Sequence, residues 1–463
     1  MTAPSAVESH SARPRPKVSA SGARADRRTA IGAVTVVAVA AAVGGGLHLA
    51  GRPVHVTSPP LTAAWLPHVG PGTLPAIVIA ALVVRHGLRL VGTMRWSRLL
   101  AAGYATAVAW ILALAMVDGW QRGVAGRLTT KDEYLSEIGG VTDVPAMLRG
   151  FAGRILDFQP DSWTTHVAGH PPGAFLTFLA LDRLGLGGGA WAALLCVAVG
   201  ALIAVAVPVT IRVLGDEAAA RVAVPFLVLF PGAVWIGVSA DGMFAGITAC
   251  GLALLAVAVT RDRLLAGLTC GLGAGVLLGF GIFLSYGLTL VAVPAGVIVV
   301  LGRRFRPVPL TAVLVGAAGV VAGFAAAGFW WPAGYHLVVQ RYYQGVASQR
   351  PYAYWVWADL ALVVLCAGPV AAVILRRALL RVGPARTLPS AGPAVLLALA
   401  GLLAIVAADV SGLSKAEVER IWLPFAAWLP AGVALLPVPG RRGWLVVQAV
   451  IALLVNHLFL TTW

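Results

Sequence analysis

The stretch from Gly189 to Val213 reads GAWAALLCVAVGALIAVAVPVTIRV and contains a single charged residue, Arg212. A helix of about 20 residues is long enough to cross the hydrocarbon core of a bilayer, which is about 30 Å thick. Similar apolar runs recur along the 463-residue chain, of which 59% is hydrophobic and only 11% is charged. A soluble domain usually carries about 25% charged residues. The sequence therefore predicts an all-α polytopic membrane protein.

Apolar runs bounded by charged residues predict about thirteen transmembrane helices within a single domain, residues 29–463. The predicted spans are 29–50, 72–93, 98–117, 189–213, 218–237, 241–260, 264–282, 284–302, 308–330, 355–375, 391–409, 421–437 and 443–461. The segment 173–186 is apolar but too short to cross, so we expect it to form an interfacial or re-entrant helix. Residues 1–28 are rich in Ser, Ala, Arg and Pro, which predicts a disordered basic tail.

The net charge of +16 reflects basic clusters that fall in alternate loops, which is the positive-inside pattern and not a nucleic-acid footprint. These clusters lie in 13–28, 85–98, 303–306 (Arg303, Arg304 and Arg306) and 376–386, up to Arg386. The pattern predicts a multi-pass plasma-membrane protein with a cytoplasmic amino terminus. The long loops 118–172 and 331–354 then face outside, together with most of the acidic residues. The four cysteines, Cys196, Cys250, Cys270 and Cys366, lie in apolar helices without metal-ligand spacing, which is typical of small buried hydrophobes.

The loop 118–172 contains the acidic pair Asp132-Glu133 and ends in Gly169-His170-Pro171-Pro172. The pair is either a solvated part of the loop, a general base for an acceptor hydroxyl, or a set of metal ligands. The two prolines favour a rigid junction into a helix and would aim His170 along the membrane surface. His166, four residues earlier, could join His170 in binding a phosphate or a metal.

Three further outer segments carry candidate residues. Asp241 lies in a tight turn between two spans, where it either caps the following helix or contributes a functional acid. The loop 331–354 is rich in aromatic residues, as interfacial belts are, and contains Arg341, Tyr342 and Arg350. Arg420 precedes the twelfth predicted span, where it is either a snorkelling anchor or a phosphate ligand.

The order of these motifs resembles that of the C-type glycosyltransferases, which use polyprenol-phosphate sugars. The likeness is to the protein O-mannosyltransferases and the lipid A aminoarabinose transferases, whose loops read approximately Asp-Glu-x-x-Tyr-x-x-Ile and His/Lys-Pro-Pro-Leu. The matching residues here are Asp132, Glu133, Ile138, His170, Pro171 and Pro172, and Gly173 stands in place of the leucine. The likeness extends over residues 118–424 through short motifs.

This resemblance implies that a sugar leaves a polyprenyl phosphate on the outer face and joins an acceptor hydroxyl, with inversion. Asp132 would be the general base and Glu133 its catalytic neighbour. The donor would be bound by His166, His170, Asp241, Arg341, Tyr342, Arg350 and Arg420, with a divalent cation possible at Glu133, His170 and Asp241. The acceptor would be a lipid, glycan or protein, and the transferred group a hexose of mannosyl type.

Two other classes of protein share parts of this pattern. A secondary transporter would carry ionisable residues near helix centres and internal pseudo-symmetry, neither of which is evident in the sequence. A non-catalytic lipid-binding or cell-envelope assembly protein would keep its function after Asp132→Asn. The effect of that substitution therefore separates an enzyme from an assembly protein.

Overall fold

The computed structural model describes residues 20–302, 307–383 and 388–461. Residues 1–19 of the predicted tail, together with Arg303, Arg304, Arg306 and Arg386, lie outside the described residues. Apart from one short two-stranded sheet, the regular structure within those three ranges is helical, which confirms the predicted all-α fold.

Nine helices in the described ranges are long and apolar enough to cross a membrane. They are Ser21–Leu49, Thr73–Thr93, Trp96–Asp118, Gly189–Val213, Ala240–Thr260, Leu264–Leu284, Pro307–Ala326, Pro393–Ser411 and Val438–Leu458. Among these nine helices, Ala240–Thr260 is the most buried, with 78% of its apolar 18-residue stretch inside the protein. The outermost helices instead expose large apolar side chains such as Leu74 and Leu314, as lipid-facing helices do.

Four of the thirteen predicted spans differ from a continuous spanning helix. The region 355–375 is a pair of helices, Tyr352–Ala367 and Pro369–Val382, bent by 104° at Gly368. The regions 218–237, 284–302 and 421–437 contain only shorter helices, so nine helices of the described residues, or ten if the bent pair counts as one, have the length of a span where thirteen were predicted. The elements concerned are Glu217–Val228, Ala233–Ile236, Tyr286–Val291, Ala292–Leu301, Val418–Ile421, Leu423–Ala426 and Leu429–Leu435. Prolines accompany several of these short helices: Pro424 and Pro430 stand in the first turns of theirs, where proline is tolerated, and Pro231 lies between the first two elements.

The first helix begins at Ala20, so residues 20–28 of the predicted disordered tail are helical. The reason is a buried ion pair. Asp26 is only 4% exposed and accepts hydrogen bonds from Arg377 Nη2 at 2.6 Å and from Arg376 Nη1 at 3.3 Å. These contacts attach the first turns of the helix Ala20–Leu49 to the helix Pro369–Val382.

Contacts between distant segments group the predicted inner loops at one end of the molecule and the predicted outer loops at the other. Asp26 and Arg377 lie at the first end, where Arg377 also reaches the carbonyl of Leu435. At the second end, Asp118 pairs with Arg127, which donates to the carbonyl of Thr461 at 2.6 Å. We call the second end, which carries the loops 118–172 and 331–354, the outer end.

The outer end is built from short elements. The strands Ala63–Trp65 and Phe459–Thr461 pair antiparallel, with Ala63 opposite Thr461. The long loops fold into short helices: Trp120–Ala125, Arg127–Thr129, Leu135–Ile138, Val144–Gly150, Phe151–Arg154, Thr165–Gly169, Pro172–Arg183, Trp331–Gln344 and Val346–Ser348. The twelve-residue helix Pro172–Arg183 confirms the predicted short helix after the double proline.

Gly173 allows this short helix to pack directly on a spanning helix. A Cβ atom at Gly173 would lie 2.5 Å from the carbonyl oxygen of Phe283, closer than real contacts allow. A leucine cannot fit at this position without moving one of the two helices. The departure from the family motif therefore has a packing cause.

Candidate functional site at the outer end

The two motifs of the loop 118–172 are brought together, although they are more than thirty residues apart. The carbonyl oxygen of Asp132 accepts from the backbone N–H of His166 at 3.0 Å and from its ring Nδ1 at 2.8 Å. Glu137 accepts from the N–H of Thr164 at 2.9 Å. The acidic motif and the histidine motif therefore form one unit.

The hydrogen bonds of the two histidines define their tautomers. Nδ1 of His166 faces the carbonyl of Asp132, and Nδ1 of His170 faces the carbonyl of His166 at 2.8 Å. A carbonyl only accepts, so the ring proton of each histidine is on Nδ1 and each Nε2 has a lone pair. Burial lowers the pKa of both histidines, that of His166 to about 3. Both rings are neutral at pH 7 and present an acceptor at Nε2.

Tyr134 forms the floor of this unit. Its ring lies 6.0 Å from that of His166, 5.8 Å from that of His170 and 5.2 Å from that of Phe178, measured between ring centroids. The ring is buried, as is the Phe178 side chain of the short helix after the prolines. This aromatic packing joins the histidine motif to the helix Pro172–Arg183.

Arg420 connects the histidine unit to two other segments. Its Nη1 donates to Asp241 Oδ2 at 2.7 Å, and its Nη2 donates to Glu417 Oε2 at 3.0 Å and to His166 Nε2 at 3.3 Å. Burial alone would lower the pKa of Arg420, but Asp241 and Glu417 outweigh it and raise this pKa above its ordinary value. Arg420 is therefore a permanent buried cation and not a snorkelling anchor.

Asp241 does not cap its helix. The cap of Ala240–Thr260 is Ser239, whose hydroxyl accepts from the N–H of Gly242 at 3.2 Å. Asp241 is only 4% exposed and directs its carboxylate at Arg420. Of the two roles that the sequence left open for Asp241, helix cap or functional acid, the structure therefore favours the second, as the partner of Arg420.

Arg350 lies on the other side of Glu417. Its Nη2 donates to Glu417 Oε1 at 3.0 Å, so that one carboxylate bridges two guanidinium groups. Arg350 is further held by the carbonyls of Lys415, at 2.7 Å, and His55, at 3.4 Å. The guanidinium groups of Arg350 and Arg420, with the carboxylates of Asp241 and Glu417, are named here the arginine cluster.

The segment that carries Glu417 is fixed from several directions. Nζ of Lys415 donates to the carbonyls of Ala347 at 2.6 Å and Arg350 at 3.0 Å, and its backbone N–H donates to the hydroxyl of Tyr342 at 2.9 Å. Asp359 accepts from the N–H of Ala416 at 3.1 Å. These bonds hold the turn before Glu417 against the loop 331–354.

The two acids of the predicted catalytic pair differ in environment. Glu133 is 6% exposed, and its Oε1 lies 3.5 Å from His166 Nδ1. Burial raises its pKa to about 7, although Arg420 opposes the shift. Asp132 is half-buried, and Thr165 Oγ1 donates to its Oδ1 at 3.3 Å. Asp132 is therefore the more accessible acid, while Glu133 carries only part of a negative charge near pH 7.

Not all predicted site residues join the arginine cluster. Arg341 pairs instead with Asp157, at 2.6 Å, in the loop 118–172. Tyr342 supports Lys415 and so acts on the cluster only through the turn before Glu417. Within the three described ranges, no group of three or more His, Cys, Asp and Glu side chains is arranged to hold a metal ion. The predicted metal set of Glu133, His170 and Asp241 is thus not assembled, because Asp241 is engaged by Arg420.

Two contributors could not be selected from the sequence. Glu417 and Lys415 stand in an ordinary charged turn, Ser414-Lys-Ala-Glu-Val-Glu-Arg420, and only the fold brings them to Arg350. Glu417 and Glu419 alternate with apolar residues in that turn, and the sequence does not show which of the two acids faces the arginines. Glu419 is only 1% exposed, and burial raises its pKa to about 8.

No protein-family model and no curated protein matches the chain. Among solved structures, the chain is similar to ArnT from Cupriavidus metallidurans bound to undecaprenyl phosphate, with a TM-score of 0.47 and 18% identity over 71% of this chain and 59% of that chain. It is also similar to the oligosaccharyltransferase of Archaeoglobus fulgidus in complex with zinc and sulfate, with a TM-score of 0.49 and 13% identity over 78% of this chain and 53% of that chain. The chain spans less than two thirds of either structure's length.

Proposed function

We propose that this protein is a membrane glycosyltransferase that moves a sugar from a polyprenyl-phosphate donor to an acceptor hydroxyl at the outer end. The observation that carries this proposal is the arginine cluster: two buried guanidinium groups lie beside the acidic and histidine motifs of the loop 118–172. Buried, hydrogen-bonded arginines are suited to an anion, because they bind phosphate oxygens bidentately and need no reorganisation. The order of the sequence motifs supports the same reading.

Within this proposal Asp132 is the general base. Its half-buried carboxylate is accessible to an acceptor, and the hydrogen bond from Thr165 fixes its orientation. As the acceptor oxygen attacks the anomeric carbon, Asp132 removes the hydroxyl proton. The bond from the sugar to the phosphate oxygen breaks, and the electron pair remains on the polyprenyl phosphate. Attack from the side opposite the phosphate gives inversion.

The arginine cluster acts on the leaving group. A polyprenyl-phosphate sugar is a phosphodiester with one negative charge, and the released monoester carries up to two. The charge therefore grows on the phosphate during the reaction. Arg350 and Arg420 stabilise this developing charge, which is the electrostatic contribution expected to be largest in such transfers.

The two histidines have a different role from the arginines. With Nε2 as an acceptor, His170 is suited to a donor group such as a sugar hydroxyl and would repel phosphate oxygens. The ring of His170 also faces Phe244, at 5.6 Å between centroids. We therefore infer that His170 orients the sugar, whereas His166 supports Arg420. The acceptor remains a lipid, glycan or protein that carries a free hydroxyl, and a mannosyl-type hexose is the proposed group.

The test compares two acids of the same loop. Purified wild-type protein, Asp132→Asn and Asp161→Asn are each given polyprenyl-phosphate hexoses and an extract of membrane acceptors, and released polyprenyl phosphate is quantified by mass spectrometry. Asp161 is 68% exposed and serves as the control. We expect a loss of about 100-fold or more for Asp132→Asn, because general-base catalysis contributes about 10²–10⁴-fold. Equal release from wild type and Asp132→Asn would contradict the assignment of the base.

A further inference from the structure

The carboxylate of Glu417 lies where an anion would bind between two arginines. Its Oε1 accepts from Arg350 Nη2 and its Oε2 accepts from Arg420 Nη2, both at 3.0 Å. A phosphate group presents oxygens with a similar spacing and the same charge-assisted bonding to guanidinium. The bridging carboxylate therefore takes up the donors that a phosphate needs.

Both arginines have further anchors besides the side chain of Glu417. Arg350 is bonded to the carbonyls of Lys415 and His55, and Arg420 is bonded to Asp241 and faces His166. If Glu417 moved away, each guanidinium would keep its position and expose the group that now binds the carboxylate. The anion site is thus already formed beneath Glu417.

The backbone at Ala416 and Glu417 is in a strained conformation that the surrounding contacts maintain. Ala416 has a φ of 67° and Glu417 a φ of 62°, both in the left-handed region that residues other than glycine rarely adopt. The turn is held there by Asp359, Tyr342 and the ion pairs of Glu417 itself. Losing the ion pairs would remove one of the contacts that enforce this conformation.

Glu417 is charged and remains partly accessible to solvent. Burial opposes ionisation of Glu417, but Arg420 and Arg350 more than compensate and lower its pKa, so that it is a carboxylate at neutral pH. An incoming phosphate would meet this negative charge at the centre of the arginine cluster. The side chain of Glu417 is 15% exposed, which leaves one edge open to solvent as a route for exchange.

We propose, on the basis of the proposed function, that Glu417 occupies the donor-phosphate site of the free protein and that the donor phosphate displaces it from Arg350 and Arg420. Glu417 is thus a built-in competitor that keeps the two arginines in place when no donor is bound. It makes the site selective, because a ligand must offer an anionic group that bonds both guanidinium groups in order to replace the carboxylate.

The experiment measures the affinity of purified protein for undecaprenyl phosphate, in lipid nanodiscs, for wild type, Glu417→Gln, Glu417→Ala and Glu217→Gln. Glu217 is a matched control, because it also pairs with two arginines, Arg212 at 3.1 Å and Arg221 at 2.8 Å, at the opposite end of the molecule. We expect both Glu417 variants to bind about tenfold tighter than wild type and Glu217→Gln to bind like wild type. Thermal unfolding confirms that each variant is folded, and Glu417→Gln keeps the size of the side chain if Glu417→Ala does not fold.

Whether the affinity for undecaprenyl phosphate rises or falls in the Glu417 variants shows whether Glu417 competes with the phosphate or only positions the two arginines. If Glu417 only positions the arginines, its removal weakens binding, and unchanged or weaker binding by folded Glu417→Gln overturns the inference.

Sugar transfer by the same wild-type sample is measured separately. Transfer with unchanged affinity in Glu417→Gln contradicts the inference and leaves the proposed function standing, whereas tighter binding without any transfer supports the inference and contradicts the proposed function. Absence of both binding and transfer in wild type overturns the two together.

Discussion

Arg420 illustrates how one residue connects segments that are far apart in sequence. It lies within hydrogen-bond distance of His166, Asp241 and Glu417, which come from the loop 118–172, the helix Ala240–Thr260 and the turn just before Arg420. An arginine can make these contacts at once because its guanidinium is planar and carries five donors. A lysine at this position would keep the charge but lose this geometry.

We therefore expect Arg420→Lys to lower the rate of sugar transfer by about 100-fold or more, since removal of one preorganised donor to a developing anion commonly costs that much. Arg122→Lys is the control, because Arg122 is an outer-end arginine whose side chain is 49% exposed and pairs with Asp118. The measurement is kcat/KM for release of polyprenyl phosphate. Retention of more than half of the wild-type value by Arg420→Lys would show that the charge alone is sufficient.

Glu133 predicts a pH dependence of stability. Its folded-state pKa is raised from 4.5 to about 7 by burial, so the folded protein binds a proton more tightly than the unfolded chain does. Between these two values stability falls as pH rises, because the folded state must give up this proton or keep a buried charge. We expect Glu133→Gln, which stays neutral, to lose less thermal stability than wild type between pH 5 and pH 8. If the melting temperatures of wild type and Glu133→Gln changed by the same amount across this pH range, the raised pKa of Glu133 would be contradicted.

At the scale of helices, hydropathy predicted well where the apolar segments lie, but less well whether each segment forms one continuous helix. Nine long spans were predictable because their apolar runs exceed the bilayer thickness, as in Gly189–Val213. The regions around Pro225, Pro294 and Pro424 are equally apolar, and composition alone does not show that the helices there are short. The acidic and histidine motifs could be found from sequence, whereas the bridging role of Glu417 depends on contacts between residues 350, 417 and 420 that only the fold creates.

Two helices that pack closely provide a test at this scale. Leu264–Leu284 presents glycines at four-residue spacing to Pro307–Ala326, as membrane helices with small residues at their interface do. A Cβ at Gly275 would lie 2.0 Å from the carbonyl oxygen of Val313, whereas a Cβ at Gly319 meets nothing within 4 Å.

We expect Gly275→Ala to lower the melting temperature in detergent by several degrees, because the two helices must move apart. Gly319→Ala should leave it unchanged or slightly higher, since alanine is favoured over glycine within a helix by about 1 kcal/mol. Equal melting temperatures for the two variants would contradict the close helix contact.

At the scale of the whole molecule, two ion-pair systems fix the two ends of the helical bundle. Asp26 joins the first helix to the bent pair Tyr352–Ala367 and Pro369–Val382 at the end opposite the outer end, and the arginine cluster joins the loops at the outer end. The same bent pair runs between them, with Arg350 directly before it and Arg377 near its far end. The chain thus ties its first helix to the scaffold that carries the candidate site.

We expect Asp26→Asn to destabilise the protein without changing the affinity for undecaprenyl phosphate. Its carboxylate is 5% exposed and faces two arginines, and breaking a buried pair leaves uncompensated charge at a cost of about 3 kcal/mol. Melting temperature and ligand affinity are measured on the same samples. A weaker affinity with an unchanged melting temperature would contradict a purely structural role for Asp26.

The most direct test of the central claim is an experimental structure of the wild-type protein with undecaprenyl phosphate in a lipid nanodisc. We expect the phosphate to lie within hydrogen-bond distance of the guanidinium groups of both Arg350 and Arg420, beside His166 and Asp132. A phosphate bound elsewhere on the protein, with these two arginines out of its reach, would contradict it.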